Sequence, residues 1–363
     1  MVFNLNRENI LIQIEAIIEE VYSESLHTND NLLGWLEFDR KTNIPSTENI
    51  KLLNLSIFNG LSGILILLCG HQTLNTDKYI SFRKKLFKTI FTLMQRQSTF
   101  THGYAGNISY LYAMSLYHKV FKDDQSYLAI EELVKYDYSK LFLYKKLDIV
   151  DGASGTLLIL ISLSQEFMGN VNWNTLIKKF ANHIYENVIN KFLHKNIFYG
   201  FAHGYSGIAY ALARVYEIYR EKKFLILAIE LLKEEDDFFS KNSPFTDDMY
   251  TWCNGLSGMI TTRLFLASIS DYQSAFNLED FEYKISNINT SIVHLCCGQG
   301  GNKECISLLS LENNIKYNIK IYPDNLSFFH GKVGIAYALC RTLNKKLPNI
   351  NFLTTTNIRI VDH

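Results

Sequence analysis

Hydrophobic and polar residues fall into two kinds of segment that alternate along the chain. Six segments are apolar almost throughout: Ile64–Leu68, Ile108–Tyr117, Thr156–Leu163, Ile208–Tyr216, Met259–Ala267 and Ile335–Leu343. In the segments between them, apolar residues recur every three or four positions, with Lys and Glu on the other face: Asn9–Val21, Ile80–Met94, Thr175–Ile189, Phe224–Phe239 and Phe281–Ile292. A helix that is apolar on all sides is buried, whereas an amphipathic helix covers a core. The pattern therefore predicts an inner and an outer layer of helices.

A Gly-x-x-Gly step precedes most of the apolar segments. The seven steps begin at Gly60, Gly103, Gly152, Gly204, Gly255, Gly298 and Gly331, so their spacings are 43, 49, 52, 51, 43 and 33 residues. Such spacings are typical of one supersecondary unit per repeat. The repeat predicts an all-α fold, an α/α toroid of about seven helical hairpins whose inner helices open at the glycine steps. At most of these steps we interpret the glycines as serving helix packing alone.

The composition restricts the classes of protein to which the chain can belong. Repeat units need their neighbours to bury their apolar faces, so residues 1–363 are expected to form a single domain. The 36 basic and 36 acidic residues cancel, which gives no electrostatic case for a nucleic-acid partner. Charged residues interrupt the apolar positions of Met1–Tyr22, and no apolar run reaches the ~18 residues of a membrane span. We therefore expect a cytoplasmic protein without a transmembrane segment.

Three of the six cysteines stand one or two positions before a glycine step. Cys253 lies two positions before the fifth step, and Cys296 and Cys297 precede the sixth. In a ring of repeats the starts of consecutive inner helices are neighbours, so these three sulfurs are expected to meet. Three cysteines with one open position are typical of catalytic zinc. A disulfide from Cys253 to either partner is the main alternative, which a reducing cytosol disfavours.

The remaining cysteines, Cys69, Cys305 and Cys340, are interpreted as small buried hydrophobic residues.

Histidines precede three of the steps, at His102, His203 and His330. For His102 and His330 we expect a structural role as hydrogen-bonding groups at a helix N-terminus. His203 has the stronger functional case, because its step comes one repeat before Cys253.

Two aspartates precede the third step. Asp151 is adjacent to the glycine and is interpreted as the helix cap. This leaves Asp148 to orient a histidine or to take part in proton transfer.

Together these motifs resemble the lanthionine synthetase C family of lanthipeptide cyclases. The resemblance extends from about Leu53 to Leu343 and is carried by the glycine steps and by Trp252-Cys253-Asn254-Gly255, Cys296-Cys297-Gly298, Ala202-His203-Gly204 and Asp148-Ile149-Val150-Asp151-Gly152. The family is an α/α toroid with a central zinc, so the resemblance implies one Zn²⁺ held by Cys253 and Cys296, with Cys297 in place of the usual histidine. An all-cysteine subgroup of the family shows the same replacement.

The resemblance also implies the reaction and its remaining residues. His203 and Asp148 match the family's active-site histidine and aspartate. Asn254 and Met249 stand where the family often has Tyr and Arg. The implied activity is a zinc-dependent, carbon–sulfur bond-forming cyclisation: peptide cysteine thiols add to dehydroalanine or dehydrobutyrine in the same peptide and form lanthionine or methyllanthionine rings.

The expected partners are a dehydrated precursor peptide with its leader, a dehydratase and an exporter. Two alternatives stay open. One is the addition of glutathione or another small thiol to dehydrated residues in proteins, and the other is a peptide-binding module with a structural zinc.

Overall fold

The computed structural model describes residues 7–38, 50–74, 77–134, 138–167, 172–190, 199–242, 250–274, 279, 283–285, 292–309 and 325–354. The labelled helices are α1 (Arg7–Ser23), α2 (Leu61–Gln72), α3 (Ile80–Gln95), α4 (Tyr110–Phe121), α5 (Asp124–Val134), α6 (Ala153–Glu166), α7 (Trp173–Ile189), α8 (Tyr205–Tyr219), α9 (Lys222–Asn242), α10 (Leu256–Ile269), α11 (Gln299–Leu308) and α12 (Lys332–Leu343). Short 3-10 segments lie at Asn107–Ser109 and Ser139–Leu143.

The alternation predicted from hydrophobicity is confirmed in the described residues. The six apolar segments form α2, α4, α6, α8, α10 and α12, and in α2 every residue from Leu61 to His71 is buried. Four of the amphipathic segments form α1, α3, α7 and α9. The fifth, Phe281–Ile292, lies mostly outside the described residues. Among the described helices, none is long and apolar enough to cross a membrane.

The described residues also contain four short strands, which were not predicted from the sequence. β1 (Leu26–His27) pairs antiparallel with β2 (Leu33–Gly34), and β3 (Leu36–Phe38) pairs antiparallel with β4 (Ile50–Leu52). Strands of two or three residues are too short to show a two-residue hydrophobic period.

The chain forms two compact units. The first contains α1 to α5, α12 and the strands, and in it α12 packs on α1 and α2 while α2 packs on α4. The second contains α6 to α11 and the described residues 101–104 and 348–354. In it α8 packs on α6, α9 and α10, and α10 packs on α11. The expectation of a single domain over residues 1–363 stays a prediction.

The glycine steps open the helices by an unusual form of capping. Six first glycines are N-cap residues, and none of the six helices has a side-chain cap. Backbone carbonyls of the preceding loop replace the cap: Ala153 N–H donates to Lys146 O over 3.0 Å, and Leu61 N–H donates to Asn54 O over 2.8 Å. A Cβ at Gly152 would collide with the Asp148 backbone. Glycine is therefore needed because the loop packs directly on the helix start.

The expected side-chain caps are consequently wrong. Asp151 does not cap α6, because Gly152 takes the N-cap position. Neither His102 nor His330 caps a helix, since Gly106 and Gly331 occupy the N-cap positions of the elements that follow them.

Candidate metal centre

A series of backbone hydrogen bonds aligns the loops before consecutive glycine steps in the second unit. Ile149 N–H donates to Ala202 O over 3.1 Å, and Ala202 N–H donates to Cys253 O over 2.7 Å. Cys253 N–H in turn donates to Cys296 O over 3.3 Å. Ala202, Cys253 and Cys296 each lie two residues before their glycine. Equivalent residues of neighbouring repeats therefore lie side by side, which brings the two cysteine loops together.

The three predicted cysteines form one cluster. Cys253 Sγ lies 3.3 Å from Cys297 Sγ, and Cys297 Sγ lies 3.5 Å from Cys296 Sγ. Their ligand atoms all lie within 4.8 Å of one another. Cys253 and Cys296 are buried, whereas Cys297 is half-buried. All three are free thiols, and their separations exceed the ~2.05 Å of a disulfide bond.

The electrostatics of the cluster favour a bound cation. Hydrogen bonds from the thiols of Cys296 and Cys297 lower the pKa of Cys253, with a smaller contribution from the Thr251 hydroxyl. The contacts with Cys253 raise the pKa values of Cys296 and Cys297. One thiolate is thus stabilised by the other two sulfurs, but a second or third thiolate needs positive charge. Three close sulfurs with this charge requirement fit Zn²⁺, which thiolates bind well and which leaves a fourth position for a non-protein ligand.

His203 and Asp148 form a second group of side chains in the same unit. His203 Nδ1 lies 3.2 Å from Asp148 Oδ2, and the two side chains are 32% and 16% exposed. The other oxygen, Asp148 Oδ1, accepts the N–H of Asp151 over 2.6 Å. The Asp148 hydrogen bond raises the pKa of His203 against the opposing effect of burial, and the charge of Cys253 adds in the same direction. The Asp148 contact thus orients the His203 ring and favours its protonated form.

Asp151 has a different position from Asp148. Its carboxylate points to Lys146, 3.2 Å away, and is 43% exposed. Its carboxylate lies within 4.8 Å of the ligand atoms of Asp148 and His203.

The other two histidines lie in different surroundings. His102 is buried, with Nδ1 2.9 Å from Thr156 Oγ1 and Nε2 2.8 Å from Leu141 O. Burial lowers the pKa of His102 to about 4. This confirms a structural role for His102, although by side-chain hydrogen bonds within the core rather than by capping. His330 belongs to the first unit, where it is exposed and packs edge-on against Phe58.

The remaining cysteines, Cys69, Cys305 and Cys340, are buried, and burial raises their pKa values. Their interpretation as buried hydrophobic residues is confirmed.

Sequence reasoning missed His294, which supports the loop of the cysteine pair. Its Nδ1 accepts the N–H of Cys297 over 3.3 Å. The same position, four residues before the glycine, holds Asp148, which accepts the N–H of Asp151, and Ser327, which accepts the N–H of His330. Aligning the loops on their glycines would have shown a polar side chain at this position in six of the seven repeats, the exception being Gly200.

The chain departs from the family pattern at Asn254 and Met249. Asn254 is exposed beside the buried Cys253. Met249 lies outside the described residues.

Comparisons with known proteins agree in fold and family. The sequence profile of the family described as lanthionine synthetase C-like protein matches residues 51–318. The lacticin 481/lactococcin biosynthesis protein LcnDR2 of Lactococcus lactis subsp. lactis is 24% identical over 277 residues, which cover 71% of this chain and 28% of that protein. The chain thus spans less than a third of the length of this curated relative.

Among solved structures, a nisin cyclase superposes with a TM-score of 0.68 and 16% identity, covering 96% of this chain and 98% of that one. This likeness shows the fold class, an all-α toroid, as the repeat pattern predicted.

Proposed function

Because the chain belongs to the lanthionine synthetase C-like family, we propose that it is a zinc-dependent lanthipeptide cyclase. The substrate is a precursor peptide with a leader, in which an earlier reaction has dehydrated serine or threonine residues. The enzyme joins a cysteine thiol of this peptide to a dehydroalanine or dehydrobutyrine of the same chain. The observation that carries the proposal is the cluster of Cys253, Cys296 and Cys297 beside the His203–Asp148 pair.

The three cysteines would hold Zn²⁺, which when bound deprotonates a thiol that enters its open position. Thiolate is the nucleophilic form, and a free cysteine with a pKa near ~8.5 supplies little of it at neutral pH. Three thiolate ligands carry one more negative charge than two thiolates and a neutral histidine. The extra charge of Cys297 weakens the attraction of the site for an incoming sulfur and leaves that sulfur more reactive.

We assign the proton-transfer step to His203. Addition forms a bond from sulfur to the β-carbon, breaks the π bond of the alkene and leaves an enolate. The α-carbon of this enolate takes up one proton, which balances the proton that the thiol has lost. The Asp148 carboxylate raises the pKa of His203, which favours the protonated form that can supply this proton. Its Nδ1 is engaged by Asp148 Oδ2, so Nε2 is the nitrogen that passes the proton, directly or through a water. The reaction neither adds nor removes atoms.

The partners follow from the chemistry of the substrate. A dehydratase has to act first, because the acceptor is an alkene that ordinary translation does not produce. An exporter of the finished peptide is a further proposed partner. We place the reaction in the cytoplasm, where a reducing environment keeps both substrate and ligand thiols free.

A mass and alkylation assay on a dehydrated, cysteine-containing peptide tests the proposal. Ring closure protects the peptide thiol from alkylation without a change in mass, whereas addition of glutathione increases the mass. A binding module does neither. The zinc-loaded protein is expected to give protected peptide of unchanged mass, and Cys253→Ala is expected to give none. Full alkylation of the peptide after incubation with the zinc-loaded protein would contradict the proposed activity.

A further inference from the structure

A fully buried ion pair joins α9 and α10. Glu235 and Arg263 are both 0% exposed, and Arg263 Nη1 lies 3.1 Å from Glu235 Oε2. A buried ion pair stabilises a fold no better than well-packed apolar residues of similar volume. Stability alone therefore does not explain this ion pair, whereas the other contacts of the Glu235 carboxylate suggest a role for it.

Glu235 holds both ends of the loop that carries His203. Its Oε1 accepts the N–H of Gly200 over 2.8 Å and the N–H of Ser206 over 3.4 Å. Its Oε2 accepts the hydroxyl of Ser206 in a short hydrogen bond. The segment from residue 200 to residue 206, with His203 at its centre, is thereby attached to one rigid carboxylate.

The same loop lies directly against the backbone of the first cysteine. Gly200 has a φ of +101°, and a Cβ there would lie 2.6 Å from Asn254 Cα and 2.8 Å from Cys253 O. Ala202 N–H donates to Cys253 O over 2.7 Å. No side chain separates the two backbones at these points, so a displacement of the loop changes the position of His203 relative to Cys253.

Arg263 ties this arrangement to the helix that follows Cys253. It lies in α10, and its Nη1 also donates to Ser206 Oγ over 3.1 Å. The network thus connects the His203 loop with the helix that follows the loop of the first cysteine, Cys253. We propose that Glu235 is a positioning residue of the cyclase, which fixes the separation of His203 from the sulfur cluster. This proposal rests on the proposed function.

Asp236 offers a matched control. Its Oδ1 accepts Arg263 Nε over 3.0 Å and Arg263 Nη2 over 2.5 Å, and its side chain is 40% exposed. Within the described contacts it bonds the same guanidinium as Glu235 but no atom of the loop from residue 200 to residue 206. Asp236→Asn therefore weakens the anchoring of Arg263 but keeps the Glu235 contacts with Gly200 and Ser206.

The test compares Glu235→Gln with Asp236→Asn in the full chain loaded with zinc. Glutamine keeps the size of the side chain. Its NH₂ group, however, is a donor that faces the donors Ser206 Oγ and Arg263 Nη1, so these two hydrogen bonds are lost. Glu235→Gln is expected to lower kcat for ring closure by roughly 100-fold, the effect of a small misplacement of a catalytic group, with KM and zinc content unchanged. Asp236→Asn is expected to keep kcat near that of the wild type.

Two further measurements separate positioning from stability. Combining Glu235→Gln with His203→Asn is expected to cost no more activity than His203→Asn alone, because Glu235 acts through His203. The ring NMR signals of His203 are expected to shift in Glu235→Gln and to stay in place in Asp236→Asn.

Equal kcat in the two single variants, multiplicative losses in the double variant, or unchanged His203 signals in Glu235→Gln would each overturn the positioning role. The NMR result decides the question even if the wild type closes no ring, an outcome that would count against the proposed function instead.

Discussion

His102 and His203 stand at the same position of their repeats, directly before a glycine step, yet they lie in opposite chemical environments. His203 is one-third exposed and faces the Asp148 carboxylate, which raises its pKa. His102 is buried against Thr156 and the Leu141 carbonyl, and burial lowers its pKa. The repeat sets the backbone position of a residue, whereas the neighbours of its side chain decide whether it can carry a proton.

The neighbours differ because the surrounding elements differ. His102 also packs edge-on against Phe180 and Tyr144, at ring-centroid distances of 5.9 Å and 6.1 Å. His203 instead meets the aspartate four residues before the neighbouring glycine step. One site therefore excludes water and charge, and the other stabilises charge next to a thiol cluster.

The largest expected effect comes from replacing each histidine with asparagine. His203→Asn should retain zinc and lower kcat for ring closure by about 100- to 10,000-fold, the contribution of a general acid. His102→Asn should instead lower the free energy of unfolding by about 1–3 kcal/mol, because it disturbs a buried hydrogen-bonding pair. Its activity per folded molecule should stay near that of the wild type. Kinetics and urea unfolding on both variants check this, and similar kinetic losses would remove the distinction between the two histidines.

The second largest expected effect is the pH dependence that His102 gives to the free energy of unfolding. Its pKa is about 4 in the folded protein against 6.5 ordinarily, so between these values the unfolded chain binds more protons. Stability should therefore rise with pH across this window and be lost as the pH falls towards 4, by up to about 3 kcal/mol. Urea unfolding at pH values from about 4 to about 7 measures this change in the free energy of unfolding. His102→Gln should flatten this part of the curve, and an unchanged slope would contradict the assignment.

Asp148→Asn should have a smaller effect on the reaction, roughly a 10-fold loss of kcat, since the general acid remains but loses its orienting charge. The amide oxygen can still accept the N–H of Asp151, so the loop is preserved. The pKa of His203 should fall, and the basic limb of the pH–kcat profile should move to lower pH.

The stability that the Asp148–His203 pair contributes is present below the ordinary histidine pKa and is lost as pH rises through the raised folded value. Asp148→Asn should therefore reduce stability at acidic pH more than at alkaline pH. A pH–kcat profile that does not move would show that His203 is not the titrating acid.

The smallest expected effect is that of Cys297→His, which places a fourth histidine directly before a glycine step. It should retain zinc and slow cyclisation by a few-fold, because two thiolates and a neutral imidazole leave the incoming sulfur less reactive than three thiolates. Zinc analysis and single-turnover kinetics measure the two quantities separately. A variant as fast as the wild type would count against the electrostatic argument.

Much of this architecture is visible in the sequence. The helices follow from hydrophobic periodicity, and the meeting of Cys253 with Cys296 follows from their equivalent places in neighbouring repeats. The capping did not follow, because the amides of the first helical turn bond loop carbonyls that no residue-type preference identifies. The β-strands were missed because two or three residues show no period.

The buried ion pair was also missed, for a physical reason. Glu235 lies on an amphipathic helix rich in Lys and Glu, where a single carboxylate is normally read as solvent-exposed. Only Arg263, a lone charge within the apolar sequence of α10, indicated that a buried anion had to lie nearby. The partner of such a charge depends on how helices pack, which local sequence does not specify. His294 was overlooked because its role depends on the alignment of loops rather than on its residue type.

X-ray absorption spectroscopy of the zinc-loaded protein tests the central claim most directly. The account predicts one zinc per chain with three sulfur neighbours at ~2.3 Å and one lighter ligand, falling to two sulfurs or to loss of the metal in Cys297→Ala. A protein that retains no zinc, or a zinc bound by fewer than three sulfurs in the wild type, would contradict it.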